Sequence, residues 1–207
     1  MPDQIEYREA KPSDSAAIRE IPNSFTTNSI YTLNPLTSSG SYSSRTFGFT
    51  LTETPISPPL TKHFPEEDDD SSGEDEEEDK GNTTSKKKYT YNLLALTPSP
   101  TNSIIGTIST THSRWNKRLI IANIAIRPSN RGQGIGKTLM AKAEEHALRE
   151  LGGEEVKYLW LEVSNVNVPA IRSYEGMGFE VCGGDRSLYE GTEARGEVAV
   201  FMWRRCG

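Results

Sequence analysis

An apolar strand that leads into a glycine-rich turn and then into a long helix constrains this chain more than any other sequence feature. Residues Leu119–Ile126 are almost continuously apolar, which predicts a central strand with both faces covered. Pro128 ends that strand, because proline cannot donate to a sheet ladder. Apolar residues then recur every four positions from about Gly134 to Leu151, which predicts a helix that Gly152 ends. A strand, a turn and a helix in this order are typical of an α/β sheet.

The turn, Arg131 to Lys137, has the composition of an anion-binding site. The first N–H groups of a helix have no partner inside the helix, and they lie at the positive end of its dipole. Glycines allow a phosphate to approach the backbone closely, and Arg131 and Lys137 add positive charge. Gly132 lies four residues before Gly136, whereas a Walker loop needs a spacing of five, and the spacing does not match a dinucleotide fingerprint either. The turn therefore predicts a phosphate or pyrophosphate site of another kind.

The rest of the chain predicts one domain, residues 1–207, with a mixed central sheet of about seven strands flanked by helices. Two further helices are predicted, one after Pro12 and one over Val168–Met177. The other strands are predicted at Ile5–Arg8, Thr46–Thr52, Tyr89–Leu96, Ile104–Thr111, Val156–Val163, Phe179–Cys182 and Val198–Trp203.

Residues 54–88 are predicted to form a disordered loop inserted in this domain. Three prolines, beginning with Pro55, are expected to end the strand before it. Glu66–Asp79 then holds 11 acidic residues and no basic one, so this tract repels itself and has little to bury. The whole chain has a formal charge of −6, so the remainder has a net charge of +5. The tract either improves solubility or attracts a polycationic ligand.

Composition and spacing argue against several classes of protein. The apolar run Leu119–Ile126 has 8 residues, whereas a membrane-spanning helix needs about 20, and the N-terminus lacks the features of a signal peptide. We therefore expect a cytoplasmic monomer or homodimer without a membrane partner. Cys182 and Cys206 cannot form a disulfide framework, and we expect them to be reduced and fairly buried. The three scattered histidines predict no metal site, and the lack of a basic stripe with interleaved aromatics argues against a nucleic-acid partner.

Two motifs resemble the signatures of the GNAT superfamily of N-acetyltransferases. One is Arg-x-x-Gly-x-Gly at Arg131–Gly136, and the other runs from Leu161 to Phe179, where Asn, Ala, Tyr and Gly-Phe have the family's spacing. The resemblance implies the GNAT fold, which is α/β with its sheet splayed between the fourth and fifth core strands, and acetyl-CoA as co-substrate. It implies that the cofactor is bound by Ile124, Ala125, Ile126, Arg131, Gly132, Gln133, Gly134, Ile135, Gly136, Lys137, Asn167, Ala170 and Tyr174.

The same resemblance implies a catalytic scheme with direct attack in a ternary complex. Tyr174 donates a proton to the departing thiolate. An alkyl ammonium has a pKa of about 10.4, so it must lose a proton before its nitrogen can attack the thioester. Glu162, on a predicted central strand, is the candidate general base, acting directly or through water. A purely structural carboxylate is an equal alternative for Glu162, and backbone N–H groups at a strand bulge are expected to stabilise the oxyanion.

Within the superfamily, the chain is most similar to the streptothricin (nourseothricin) acetyltransferases, from about Tyr7 to the C-terminus. The matching segments include Ser24–Thr27, Arg114–Leu119, Leu188–Thr192 and the acidic tract. This resemblance implies acetylation of a primary amine on the β-lysine arm of a cationic antibiotic, and hence antibiotic resistance. It assigns acceptor binding to Ser24, Phe25, Thr26, Asn28, Trp115, Asn123, Glu162 and Tyr189.

Three positions depart from the pattern of those enzymes. Asn28, Ala122 and Asn123 stand where the pattern has acidic residues. Fewer carboxylates attract an ammonium group less strongly. Two alternatives therefore stay open, which are acetylation of a polyamine or a protein lysine, and a CoA-binding protein with little or no catalysis.

Overall fold

The computed structural model describes residues 5–35, 49–63, 89–188 and 197–207. The strands are β1 (Glu6–Glu9), β2 (Ser24–Pro35), β3 (Phe49–His63), β4 (Thr90–Leu96), β5 (Ile104–Ser113), β6 (Arg118–Ile126), β7 (Tyr158–Ser164), β8 (Glu180–Asp185) and β9 (Ala199–Arg205). The α-helices are α1 (Ser15–Arg19), α2 (Ile135–Leu151) and α3 (Val168–Glu175). Single 3-10 turns, Pro12–Asp14 and Pro128–Asn130, precede α1 and α2.

Seven of these strands form one mixed sheet in the order β1-β4-β5-β6-β7-β9-β8, and β2 and β3 form a separate antiparallel hairpin. The central neighbours β6 and β7 are parallel, because α2 returns the chain to the same end of the sheet. The other strand pairs in the described part of the chain are antiparallel. The predicted mixed sheet of about seven strands with flanking helices is confirmed.

The two central strands separate before they end. β6 and β7 pair only from Arg118 and Tyr158 to Ile121 and Leu161, although both strands continue beyond those residues. A bulge begins at the same level, because Thr110 of β5 pairs with Ile121 and Ser109 with Asn123, which leaves Ala122 as an extra residue. The sheet is therefore splayed between its fourth and fifth strands, as predicted.

The helices α2 and α3 pack on one face of the sheet over the main core. Its fully buried side chains include Ile108, Leu139, Leu159, Leu161, Ile171 and Met202. The other face is covered in part by Ala17 and Ile18 of α1 and by Ile21, which follows α1, against Leu94 and Ala125. The prediction that both faces of β6 are covered is wrong at Ala122 and Asn123, which are exposed. The bulge and the splay remove their neighbours on the β7 side.

The hairpin β2–β3 differs from the sequence prediction. β3 does not end at Pro55 but runs through three prolines to His63, so residues 54–63 are not a loop. Prolines are tolerated because each strand of an isolated hairpin has one edge that needs no ladder partner. The hairpin also contains a large irregularity, since the single residue Asn28 lies opposite the four residues 56–59. Residues 64–88, which include the acidic tract, lie outside the described residues.

Both cysteines are free thiols, as predicted, but only Cys206 is partly buried. Cys182 is exposed because it lies on the edge strand β8, at a shift in its register with β9. Among the helices that the described residues form, none is both long and apolar enough to cross a bilayer.

Candidate active site

A slot opens between β6 and β7 where their pairing ends. The edge of β6 that faces β5 stays paired through Ile126, whereas the edge that faces β7 has no ladder beyond Ile121. Backbone groups of Ile124 to Ile126 on the slot side can therefore bind an extended ligand. Ala125 is buried and its two neighbours are half-buried, so the walls of the slot are apolar. These properties suit the pantetheine arm predicted at these residues.

The glycine-rich turn closes one end of the slot and begins α2. Gly132 and Gly134 have φ angles of +75° and +78°, a conformation that favours glycine. Gly134 is the N-cap of α2 and makes no side-chain cap, and no acidic residue lies in the first turn. The first intrahelical bond comes from the N–H of Thr138 to the carbonyl of Gly134, so the N–H groups of residues 135–137 remain for an anion. This geometry fits a pyrophosphate.

The two cations of the turn lie in different settings. Arg131 donates through Nε to the carbonyl oxygen of Ile126 at 3.0 Å and through Nη2 to that of Pro22 at 3.5 Å. Burial lowers the pKa of its guanidinium. Arg131 therefore holds the turn against the end of β6, in addition to any contact with an anion. Lys137 and Gln133 are exposed at the helix start, where they are accessible to a phosphate.

The helix α3 carries three predicted residues at the other side of the slot. Asn167 is its N-cap, and its Oδ1 accepts from the N–H of Ala170 at 3.4 Å. Tyr174 lies one turn beyond Ala170 on the same side, is 9% exposed, and packs against Phe179 with ring centroids 5.8 Å apart. Burial raises the pKa of Tyr174 to about 12, so the phenol keeps its proton at neutral pH.

The candidate base and an acceptor residue lie on the two splayed strands. Glu162 is exposed on β7, one residue beyond the last pair with β6. Asn123 is exposed on β6, immediately after the bulge. The structure therefore brings both to the mouth of the slot, on opposite strands.

One ion pair fixes the end of the hairpin beside the slot. Lys62 of β3 donates to the carboxylate of Glu197, and the hydroxyl of Ser164, the last residue of β7, donates to the same carboxylate at 2.6 Å. The side chains of Lys62 and Glu197 are 17% and 8% exposed, so the pair is largely removed from water.

A second set of contacts fixes the hairpin farther along. The side chain of Asn165 donates to the carbonyl of Tyr31 at 2.8 Å and accepts from the N–H of Val198 at 2.9 Å, which joins β2 to the residue directly before β9. Arg172 of α3 donates from Nη2 to both carboxylate oxygens of Glu53, at 2.6 and 2.7 Å. This guanidinium lowers the pKa of the Glu53 carboxyl.

Sequence reasoning missed these anchoring residues. Glu53 and Arg172 are 119 residues apart, and Lys62 and Glu197 are 135 residues apart. No motif links such distant charges, so only the folded chain reveals them. The Asn165 contact had a weak signal, because a polar residue directly after a buried strand often satisfies backbone groups at its end.

The other predicted acceptor residues lie in different parts of the structure. Thr26 and Asn28 face a cavity beside α3, whereas Phe25 is buried and Ser24 is half-buried in the hairpin. Trp115 is 88% exposed in the turn before β6, at the opposite end of that strand from the slot, so it is not brought together with the others. Tyr189 lies outside the described residues.

Comparison with known proteins agrees with this geometry. Residues 57–179 match the acetyltransferase (GNAT) family. The chain belongs to that family. This GNAT enzyme is 39% identical over 201 residues to streptothricin acetyltransferase of Streptomyces lavendulae, which covers 97% of the chain and 95% of that relative.

Two crystal structures resemble the whole GNAT chain. Nourseothricin acetyltransferase is 36% identical, with a TM-score of 0.74 over 98% of this chain and 99% of that one. A Bacillus anthracis str. Ames protein, provisionally assigned as a streptothricin acetyltransferase and crystallised with acetyl coenzyme A, is 25% identical, with a TM-score of 0.71 over 98% and 100%. The chain is therefore an acetyltransferase that uses acetyl-CoA.

We expect the Gly134→Ala substitution to weaken CoA binding. An alanine at this positive φ costs about 1–2 kcal/mol, and relief of the strain would turn away the N–H groups that face the anion. The dissociation constant of CoA, measured by titration calorimetry, should rise by roughly 5- to 30-fold. Gly152→Ala is the matched control, since Gly152 has a φ of +86° at the other end of α2. It should lower the melting temperature and leave CoA affinity unchanged, and equal losses of affinity in both variants would contradict this interpretation.

Proposed function

We propose that this protein transfers the acetyl group of acetyl-CoA to a primary amine of a streptothricin-type antibiotic. The observation that carries the proposal is the extent of the likeness to streptothricin and nourseothricin acetyltransferases. It spans nearly the whole of each chain and so includes the β2–β3 hairpin as well as the cofactor-binding core. The cytoplasm is the proposed location, which two free thiols support.

The acceptor's ammonium must be deprotonated near Glu162. At pH 7 only about one alkyl amine in 2,500 is uncharged. Glu162 lies on the last part of β7, where its exposed carboxylate is accessible to an acceptor at the slot. It accepts the proton directly or through one water molecule, and leaves the nitrogen lone pair free to attack.

Two further parts of the chain act on the carbonyl and on the leaving group. Acetyl-CoA, when bound, supplies the acetyl thioester. Backbone N–H groups beside the bulge at Ala122, where β6 has lost its pairing with β7, stabilise the negative charge that develops on the carbonyl oxygen. Tyr174, kept protonated by its burial, holds a proton for the departing sulfur. Asn167 and the turn 131–137 orient the cofactor.

The acceptor is tested by following release of free CoA thiol with nourseothricin, spermidine or a lysine peptide as acceptor. We expect rapid turnover with nourseothricin and slow turnover with the other two. Turnover of spermidine or the peptide alone would replace the proposed acceptor with a polyamine or a protein amine. CoA binding without thiol release on any acceptor would indicate a protein without transferase activity.

Tyr174→Phe tests the proton donor. The change removes one hydroxyl from a packed ring, so kcat should fall by roughly 100-fold or more while the KM for acetyl-CoA stays within about twofold. Because the pKa of Tyr174 is about 12, the wild-type kcat should show no loss from this group below pH 10. Tyr158→Phe, on the sheet and away from the slot, is the control and should keep full activity. An unchanged kcat in Tyr174→Phe would contradict the assignment.

Glu162→Gln tests the base through the pH dependence of the rate. Without a base, kcat/KM should be at least about 100-fold lower at pH 7 and should rise about tenfold per pH unit, since it then follows the free-amine fraction. Glu180→Gln, on the exposed edge strand β8, is the control. A lower rate with the wild-type pH profile would instead mean that Glu162 has a structural role.

A further inference from the structure

A cavity of about 290 Å³ lies between the hairpin and the start of α3. It exists because the single residue Asn28 lies opposite the four residues 56–59, so the two strands cannot pack evenly there. The volume is roughly ten times that of a water molecule in the liquid, enough for part of a ligand. The lining residues are Thr26, Thr27, Asn28, Pro59, Val168, Pro169 and Arg172.

The hairpin is fixed on both sides of this cavity. On one side Lys62 binds the carboxylate of Glu197, and on the other Glu53 accepts from Arg172 and from the hydroxyl of Ser29. The carbonyl of Tyr31 accepts from the side chain of Asn165, and this contact lies close to the Glu53–Arg172 pair. Because these two ion pairs fix the hairpin on either side, the cavity is formed without a ligand, and binding there requires little ordering of the protein.

The charge of the lining disfavours an ammonium group. Arg172 is the only ionisable residue among the seven described lining residues, and its Nη2 is paired with both carboxylate oxygens of the nearby Glu53, so these lining residues offer no carboxylate to an ammonium group. The hydroxyl of Thr26 and the amide of Asn28 add neutral donors and acceptors. Arg172 bonds to Glu53 through Nη2 and also to the side chain of Tyr31. A guanidinium has five N–H donors, so further ones can donate to a ligand oxygen.

The cavity and the slot meet at the same short helix. Val168 lines the cavity, and it directly follows Asn167, which is predicted to bind the cofactor. Arg172 is exposed on the outer side of α3, whereas Tyr174 is buried on its inner side. The first turn of α3 therefore contributes to both sites, with Val168 in the cavity and Asn167 at the predicted cofactor position.

We propose that this cavity binds an uncharged, oxygen-bearing part of the acceptor, with Arg172 and Asn28 as specificity-determining residues. The reacting amine then lies at the slot beside Glu162. The inference rests on the proposed function and adds a substrate class to it: an elongated amine whose carbonyl or hydroxyl groups lie some distance from the reacting nitrogen. A simple diamine cannot use the cavity.

Steady-state kinetics of Asn28→Leu and Arg172→Gln with nourseothricin test the proposal. Each variant removes hydrogen-bonding groups from the cavity, so the KM for nourseothricin should rise about tenfold, with kcat and the KM for acetyl-CoA within twofold of wild type. Ser173→Ala is the control, because Ser173 neighbours Arg172 but bonds within its own helix. Asn28→Leu alters neither hairpin anchor, so it remains informative if Arg172→Gln loosens the hairpin.

The outcomes separate the two proposals. If wild-type protein does not acetylate nourseothricin, the proposed function fails and this inference fails with it. If wild-type protein is active and both variants keep its KM for nourseothricin, only this inference is overturned. A rise in the KM for acetyl-CoA instead would assign the cavity to the cofactor and would also overturn it.

Discussion

The end of the ladder between β6 and β7 is the constraint on which the site depends. Two parallel strands in the centre of a sheet normally pair along their whole length, and here the pairing stops at Ile121 and Leu161. The bulge at Ala122 begins at that level and turns β6 away from β7. Backbone groups that a complete ladder would consume are thereby left for ligands. The slot, the exposure of Asn123 and Glu162, and the proposed oxyanion contacts all follow from this one interruption.

The position of the hairpin beside the slot depends on two ion pairs between residues that are far apart in the sequence. Glu197 is buried, so loss of Lys62 would leave an uncompensated carboxylate, which is strongly destabilising in proteins. The Glu53–Arg172 pair is more exposed and contributes less energy, but it holds the guanidinium of α3 beside the hairpin through the contacts of Nη2 with both carboxylate oxygens. The first pair therefore secures the hairpin, and the second sets the chemistry of the cavity.

The sequence predicted the local structure on the proposed cofactor side of the site better than that on the proposed acceptor side. The glycine-rich turn, α2 and the α3 motif are local, since their side chains are spaced along single elements whose periodicity is visible. The predicted strand Thr46–Thr52 overlaps only the start of β3, because three prolines in β3 mimic a strand end. The partner strand β2 was missed because it is rich in Ser, Thr and Asn. The bulge at Ala122 could not be predicted either, because a largely apolar strand sequence does not indicate which residue lacks a pairing partner on the neighbouring strand. Trp115 was predicted to bind the acceptor because its segment is similar to the streptothricin enzymes. It lies in the turn before β6, at the end of that strand opposite the slot. Similarity of a segment therefore did not indicate where that segment lies in the fold.

The proposed cofactor side and the proposed acceptor side lie largely on two separate sheets, so an enzyme of this kind can change its acceptor by substitutions in only one of them. The cofactor loop and Tyr174 belong to the seven-stranded sheet and its helices, whereas Thr26 and Asn28 belong to a hairpin that shares no ladder with that sheet. Substitutions in the hairpin can therefore alter charge and shape around the proposed acceptor site without moving the groups proposed to act on the thioester. The helix α3 is the exception, since Arg172 and Tyr174 lie on opposite sides of its eight residues. With the proposed roles of Arg172 and Tyr174, a change that shifts this helix would alter acceptor binding and proton donation together, which makes α3 the element least free to vary.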